Sequence, residues 1–192
     1  MLPFLPVNVK ILDVDTEIKR YGIRQVTSHS IYEPSSTQFH PDGFFSEITF
    51  GQIGSPARLE TLGYIELNTT VFDPHYFKTL MSLKQLYQGV ASGKVYARFD
   101  KQLKDLVACN KEDPGAGTGY HFFFTTYPNM VLEKNGSEKR NLKIDLLEKY
   151  RNICCIKRFL VQPAGIRDVR HEDGRATSEE INKLYFGLLS LS

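Results

Sequence analysis

Apolar and polar positions along the 192-residue chain follow two different periods, and the switches between them predict its elements. Val7-Asn8-Val9-Lys10-Ile11 alternates apolar with polar residues as a half-buried strand does. The stretch from Val7 to about Phe50 is otherwise irregular, with turn formers and two prolines, Pro34 and Pro41. Asp42-Gly43 is a turn signal. It introduces a first extended stretch, Phe44 to Gly51, and Leu62 to Val71 gives a second around Tyr64, Ile65 and Leu67.

Helical spacing begins at Asp73-Pro74, an N-cap followed by a proline at the first helical position. Phe77, Leu80, Lys84 and Tyr87 then share a face, and Gly89 is the expected stop. Leu103, Leu106 and Val107 predict a shorter helix over Phe99 to Cys109. Asn110 to Gly119 is rich in glycine and charge and reads as a surface loop. Tyr120 to Tyr127, aromatic and β-branched, predicts a buried strand. Asn135-Gly136 is a turn, and Ser137 is placed to cap a helix to about Asn152 through Leu142, Leu146, Tyr150 and Ile153. Ile156 to Val161 reads as a strand broken by Gln162-Pro163-Ala164-Gly165. Thr177-Ser178-Glu179-Glu180 forms a capping box before the stripe Ile181, Leu184, Tyr185 and Leu188.

Composition narrows the functions open to such a chain. With 41% hydrophobic residues, 13 Phe and 10 Tyr, there is enough apolar surface for a core. No apolar run reaches the roughly 18 residues that a membrane span needs, and Met1 to Pro6 lacks the basic and apolar segments of a secretory signal. A cytoplasmic protein with no membrane partner is therefore expected. A net charge of only +2 means that any nucleic-acid contact is local rather than spread over the surface. Cys109, Cys154 and Cys155 lack the paired spacing of a zinc site, and all three are expected as reduced, partly buried thiols.

Candidate chemistry is sparse. Asp13-Val14-Asp15 places two carboxylates on alternate residues, as a magnesium site can, but reads better as a solvated strand end. Gly115-Ala116-Gly117-Thr118-Gly119 has phosphate-loop glycines without the following Lys-Ser/Thr, and no helix is expected behind it. The five histidines are scattered, and His121, among phenylalanines, is expected at a core or strand edge. No Ser, His and acid combination suggests nucleophilic catalysis. The denser signal is basic: Lys157, Arg158, Arg167, Arg170, His171 and Arg175 bracket the Pro/Gly break. Groups on such a loop can reach phosphates, although Asp168, Glu172 and Asp173 partly neutralise them.

Three separated segments, in order, resemble the N-terminal part of the β′ (largest) subunit of multisubunit RNA polymerases. Asp42-Gly43-Phe44-Phe45-Ser46-Glu47-Ile48-Thr49-Phe50-Gly51 is similar to the family's D-G-L-F-S/C-x-x-I-F-G-P. Leu62-Gly63-Tyr64-Ile65-Glu66-Leu67-Asn68-Thr69-Thr70-Val71 is similar to M-G-H-I-E-L-A-x-P-V, and Pro74-His75-Tyr76-Phe77 follows as an aromatic helix start does in the family. Phe159 to Arg167, then Asp173 to Tyr185, resembles V-L-P-V-x-P-P-D-L-R-P and D-G-G-R-F-A-T-S-D-L-N-x-L-Y. Eleven residues separate Gly51 from Gly63 and none is cysteine, so the bacterial zinc ribbon is expected to be missing. The aspartates of N-A-D-F-D-G-D, which hold the catalytic Mg²⁺ in the family, do not occur either. A short, zinc-less chain of this kind looks like the split subunits of large bacteriophages, and a separate N-terminal fragment fits as well.

The resemblance implies an α+β, irregular clamp-type fold with several helices, short strands and a protruding lid-like loop. It implies a clamp base over 1–72 with interface strands, a helical clamp head over 73–155, and a strand, lid and capped helix over 156–192. It implies a non-catalytic part in a DNA-directed RNA polymerase, with no cofactor on this chain and Mg²⁺ elsewhere in the assembly. The implied partners are a C-terminal β′-like chain, β-like subunits, a promoter-specificity factor, DNA and nascent RNA. Arg167, Arg170 and Arg175 are the expected phosphate contacts, with Lys157, Arg158 and His171 beside them. Phe44, Phe45, Ile48, Phe50, Tyr64, Ile65 and Leu67 are the expected subunit interface. A free-standing adaptor that mimics part of β′ and binds a host polymerase is the alternative.

Overall fold

A computed structural model describes residues 10–30, 39–167, 169–172, 175–178 and 180–192, with only the backbone described at 169–172 and 175–178. Of the expected strand Val7 to Ile11, Val7 to Val9 lie outside the described residues and Lys10 and Ile11 are in no strand; Glu179 of the capping box lies outside the described residues as well, as do Pro34, Asp168, Asp173 and Gly174. Helices and short strands build an α+β fold in two units. One unit takes residues 12–71 and 156–192; the other takes 72–155 with residues 10–11. Residues 12–71 and 156–192, read above in separate segments, thus contribute to one unit.

In the first unit, helix α1 (Val14–Tyr21) starts at Asp13, whose carboxylate accepts from the Thr16 N–H at 3.2 Å. Strand β1 (Arg24–Gln25) runs parallel to β2 (Gly63–Phe72), which lies between β1 and β5 (Cys155–Val161). Strand alternation divides β2 between two clusters. Ile65 and Leu67 join Val26, Phe44, Phe45, Phe50, Val161, Tyr185 and Leu189, whereas Tyr64 packs with Val14, Ile18, Ile23 and Ile156. Gly63 is a forced choice: a Cβ there would stand 2.8 Å from Val26 and 2.9 Å from the Phe50 ring.

The stretch Phe44 to Gly51 is not extended. It turns and then forms the short helix α2 (Glu47–Phe50), because the Ser46 hydroxyl accepts from the Thr49 N–H and supplies a local cap that a strand cannot use. Beyond β5, a single 3₁₀ turn (Ala164–Ile166) replaces the strand, and β6 (Val169–Glu172) pairs antiparallel with β7 (Arg175–Ser178). Helix α7 (Glu180–Leu189) closes the unit through Asn182, Tyr185 and Leu189; Leu184, expected on its apolar stripe, is 67% exposed.

The second unit has an aromatic core. Helix α3 (Pro74–Met81) opens as expected, with the Asp73 carboxylate accepting from the N–H groups of His75 and Tyr76. It stops at Met81, and Gly89 lies inside the next helix, α4 (Gln85–Ala91), instead of ending the first. The expected helix over Phe99 to Cys109 is a hairpin of β3 (Ala97–Asp100) and β4 (Asp105–Ala108). The Asp100 carboxylate accepts from the N–H groups of Gln102 and Leu103, and Lys104 takes φ 47°, a turn that no helix passes through.

The expected strand at Tyr120 to Tyr127 is helix α5 (Gly119–Thr126). A helix satisfies its own backbone, and the i,i+4 spacing sets Phe123 and Tyr127 in the core while Tyr120 and Phe124 stack 5.9 Å apart. Helix α6 (Glu138–Lys149) buries Ile144 and Leu147 and leaves Leu142 exposed. At the centre, the Tyr76 and Tyr127 hydroxyls lie 2.5 Å apart and Tyr76 donates to the Leu147 carbonyl at 3.0 Å.

Two helical glycines give opposite predictions. Gly187 in α7 has nothing within 4 Å of an added Cβ, whereas at Gly89 that atom would stand 2.7 Å from stiff, β-branched Val95. Gly187→Ala should therefore stabilise by about 0.5–1 kcal/mol. Gly89→Ala should destabilise despite the same gain in helix propensity. Urea titration of both variants checks the pair of signs.

Candidate nucleic-acid interface

Of the six basic residues singled out, Arg167 is the one the fold consumes. It follows the 3₁₀ turn after β5 and is 4% exposed. Its guanidinium donates to the Gln162 carbonyl at 2.9 Å, the Asn182 side-chain oxygen at 3.1 Å and the Phe44 carbonyl at 2.7 Å. The same group lies 3.9 Å from the centroid of the Phe44 ring, 4.8 Å from that of Phe45 and 5.0 Å from that of Phe50. Burial pulls its pKa down to about 9, which still leaves a cation at neutral pH. Its described partners are neutral, so ring faces and carbonyl oxygens take the place of water around the charge. The expected phosphate contact at Arg167 is thereby corrected: this side chain holds the unit together.

Lys157 and Arg158, on β5, keep one edge in solvent but are already paired. Lys157 Nζ lies 3.1 Å from Glu66, and Arg158 reaches Glu66 at 3.4 Å and Asp15 at 3.0 Å. Hydrogen bonds from Lys157 and then Arg158 hold the Glu66 carboxyl below its usual range. Asp13 and Asp15, weighed as metal ligands, are thus a helix cap and an ion-pair partner. Arg170, His171 and Arg175 sit on the β6–β7 hairpin, in register with Thr177, Ala176 and Glu172 respectively; their side chains lie outside the described residues.

The expected subunit interface is also revised. Phe44, Phe45, Phe50, Ile65 and Leu67 are buried in the core of their own unit, so they offer no surface. Tyr64 is half-buried beneath the Arg158 guanidinium, and Ile48 alone of the seven is exposed, at 50%. His121 is exposed on α5 rather than set in a core or strand edge. The loop around Gly117 is tied by reciprocal backbone hydrogen bonds to Ala97, and α5 opens directly behind it, against the expectation of no helix there. Cys154 is buried, Cys155 is exposed and all three cysteines are free. Among the described residues, no group of three or more His, Cys, Asp and Glu is placed to hold a metal ion.

No protein-family model matches the chain, and no curated protein matches it.

Two residues that sequence reasoning passed over complete the Arg167 site. Asn182 is a fully buried polar residue on the inner face of α7, a departure from the apolar stripe that was readable in advance. Arg58, also buried, donates to the carbonyls of Phe45, Ser46 and Gly51, and burial lowers its pKa as well. Two guanidinium groups thus clamp one turn of backbone. The pairing of β6 with β7 had a sequence signal too, since an Asp-Gly dipeptide, as at 173–174, favours tight turns.

Replacing Arg167 with Lys removes the fork that reaches three acceptors at once. Arg167→Lys should lower unfolding stability by about 1–3 kcal/mol. Lys157→Gln, at an exposed pair, should leave the denaturation midpoint nearly unchanged.

Proposed function

We propose that this chain is a non-catalytic, β′-like part of a DNA-dependent RNA polymerase, supplying clamp and lid elements that hold DNA and separate the transcript from its template. One observation carries the reading. The third of the segments that resemble the family is about ninety residues from the first two in sequence, yet all three contribute to one unit and one core. Arg167 of the third segment donates to the Phe44 carbonyl of the first and to Asn182 of the last helix, and Ile65 and Leu67 of the second segment share a hydrophobic cluster with Phe44, Phe45 and Phe50.

The antiparallel strands β6 and β7 fall in the stretch that this reading takes as the lid, and they carry Arg170, His171 and Arg175. Separation of RNA from template calls for a projecting element that blocks re-pairing and guides phosphates through charge-assisted hydrogen bonds. Nucleotidyl transfer, with its Mg²⁺, belongs in this reading to a partner chain.

Affinity purification of the full chain from its native source tests the proposal. A subunit copurifies with β-like and C-terminal β′-like chains of the same source. Recovery with host polymerase subunits alone would replace this reading with the adaptor, and a monomer indifferent to polymerase subunits would end both. Within the assembled enzyme, Arg170→Glu with Arg175→Glu should slow transcript displacement and leave assembly intact. The loss should exceed that of the same reversal at Lys157 and Arg158, whose charges are already neutralised. A strand-displacement assay over a salt series reads the difference.

A further inference from the structure

Cys154 and Cys155 bring two sulfurs within 3.5 Å of each other. Successive residues of a continuous strand point to opposite faces. Here the backbone changes type between them: Cys154 ends the 3₁₀ turn Arg151–Ile153 with φ −71° and ψ −11°, and Cys155 opens β5. The backbone is anchored on both sides, with the Asp73 N–H donating to the Cys154 carbonyl at 2.8 Å and the Ile153 N–H to that of Tyr150 at 3.1 Å. Cys155 is exposed and Cys154 lies behind it, buried. The Cys154 thiol hydrogen-bonds its neighbour and pulls the Cys155 pKa down; Cys155 first, and burial second, push that of Cys154 up. The site therefore presents one accessible sulfur, the more acidic of the two, backed by a buried thiol.

The separation favours a bridge over a direct bond. A disulfide needs an S–S distance of about 2.05 Å and strains adjacent residues. One atom bonded to each sulfur at about 2.3 Å, the length of a zinc–thiolate bond, spans the observed gap at an angle of roughly 100°. A closed zinc site needs four ligands, and the described residues offer no third His, Cys, Asp or Glu beside these two. A trivalent arsenic centre with one organic substituent needs only two.

We propose that Cys154 and Cys155 form a two-sulfur site for thiophilic electrophiles of the monosubstituted trivalent arsenical class. The Cys155 thiolate attacks arsenic and displaces one hydroxide, which is protonated to water. The Cys154 sulfur then displaces the second, its thiol proton leaving with that hydroxide as water. Two As–S bonds replace two As–O bonds, and neither arsenic nor sulfur changes oxidation state. This site does not depend on the polymerase reading.

Phenylarsine oxide added to the full chain, followed by intact mass spectrometry, tests it. The native sequence should carry one arsenical that survives excess 2-mercaptoethanol and is removed by 2,3-dimercaptopropanol. Cys155→Ser changes an exposed position, so the fold should persist, and circular dichroism checks that it does. In that variant the arsenical should be held about 10²-fold more weakly or worse, since one of two linked attachments is gone, and should wash off with monothiol. Cys109→Ser should behave as the native chain does. A monothiol-resistant adduct on Cys155→Ser, its loss on Cys109→Ser, or no adduct on the native chain would overturn the proposal.

Discussion

A cation taken out of water governs one of the two units. The Arg167 guanidinium is buried among Phe44, Phe45, Phe50 and Tyr185, and its hydrogen bonds run to three parts of the chain. Burying a charge is costly unless every donor finds an acceptor. Here the turn after Asp42, the break after β5 and helix α7 are held at the positions that keep the donors satisfied. Arg58 imposes the same demand on the other side of the turn through the Phe45, Ser46 and Gly51 carbonyls. Loss of either side chain would leave backbone carbonyls without donors as well as a gap among rings.

That economy explains why the basic cluster is smaller in space than in sequence. Of the six basic residues from Lys157 to Arg175, Arg167 is consumed by the core and Lys157 and Arg158 are paired with Glu66 and Asp15. The remaining three share one hairpin.

Much of the fold was legible where a local signal and the tertiary demand agree. Asp73-Pro74 caps α3 because both the carboxylate and the proline φ suit a helix start whatever surrounds them. The alternation in β2 survives because each face meets a separate cluster. Reading failed where the same residues satisfy two patterns. Leu103, Leu106 and Val107 fit a helical face, yet the Asp100 carboxylate closes a turn before them and Leu106 pairs opposite Phe99. Tyr120 to Tyr127 has strand composition, but its aromatic rings pack onto Phe72 and Tyr76 only when spaced as a helix spaces them. At the candidate site, residue type was readable and burial was not. An arginine destined for a ring-lined core looks the same in sequence as one destined for phosphate.

The hydrogen bond from the Asp73 N–H to the Cys154 carbonyl joins the two ends of the segment 72–155, whose flanking strands β2 and β5 are sheet neighbours. The backbone itself thus fixes those ends close together, and a change of length in a loop between them leaves that closure in place.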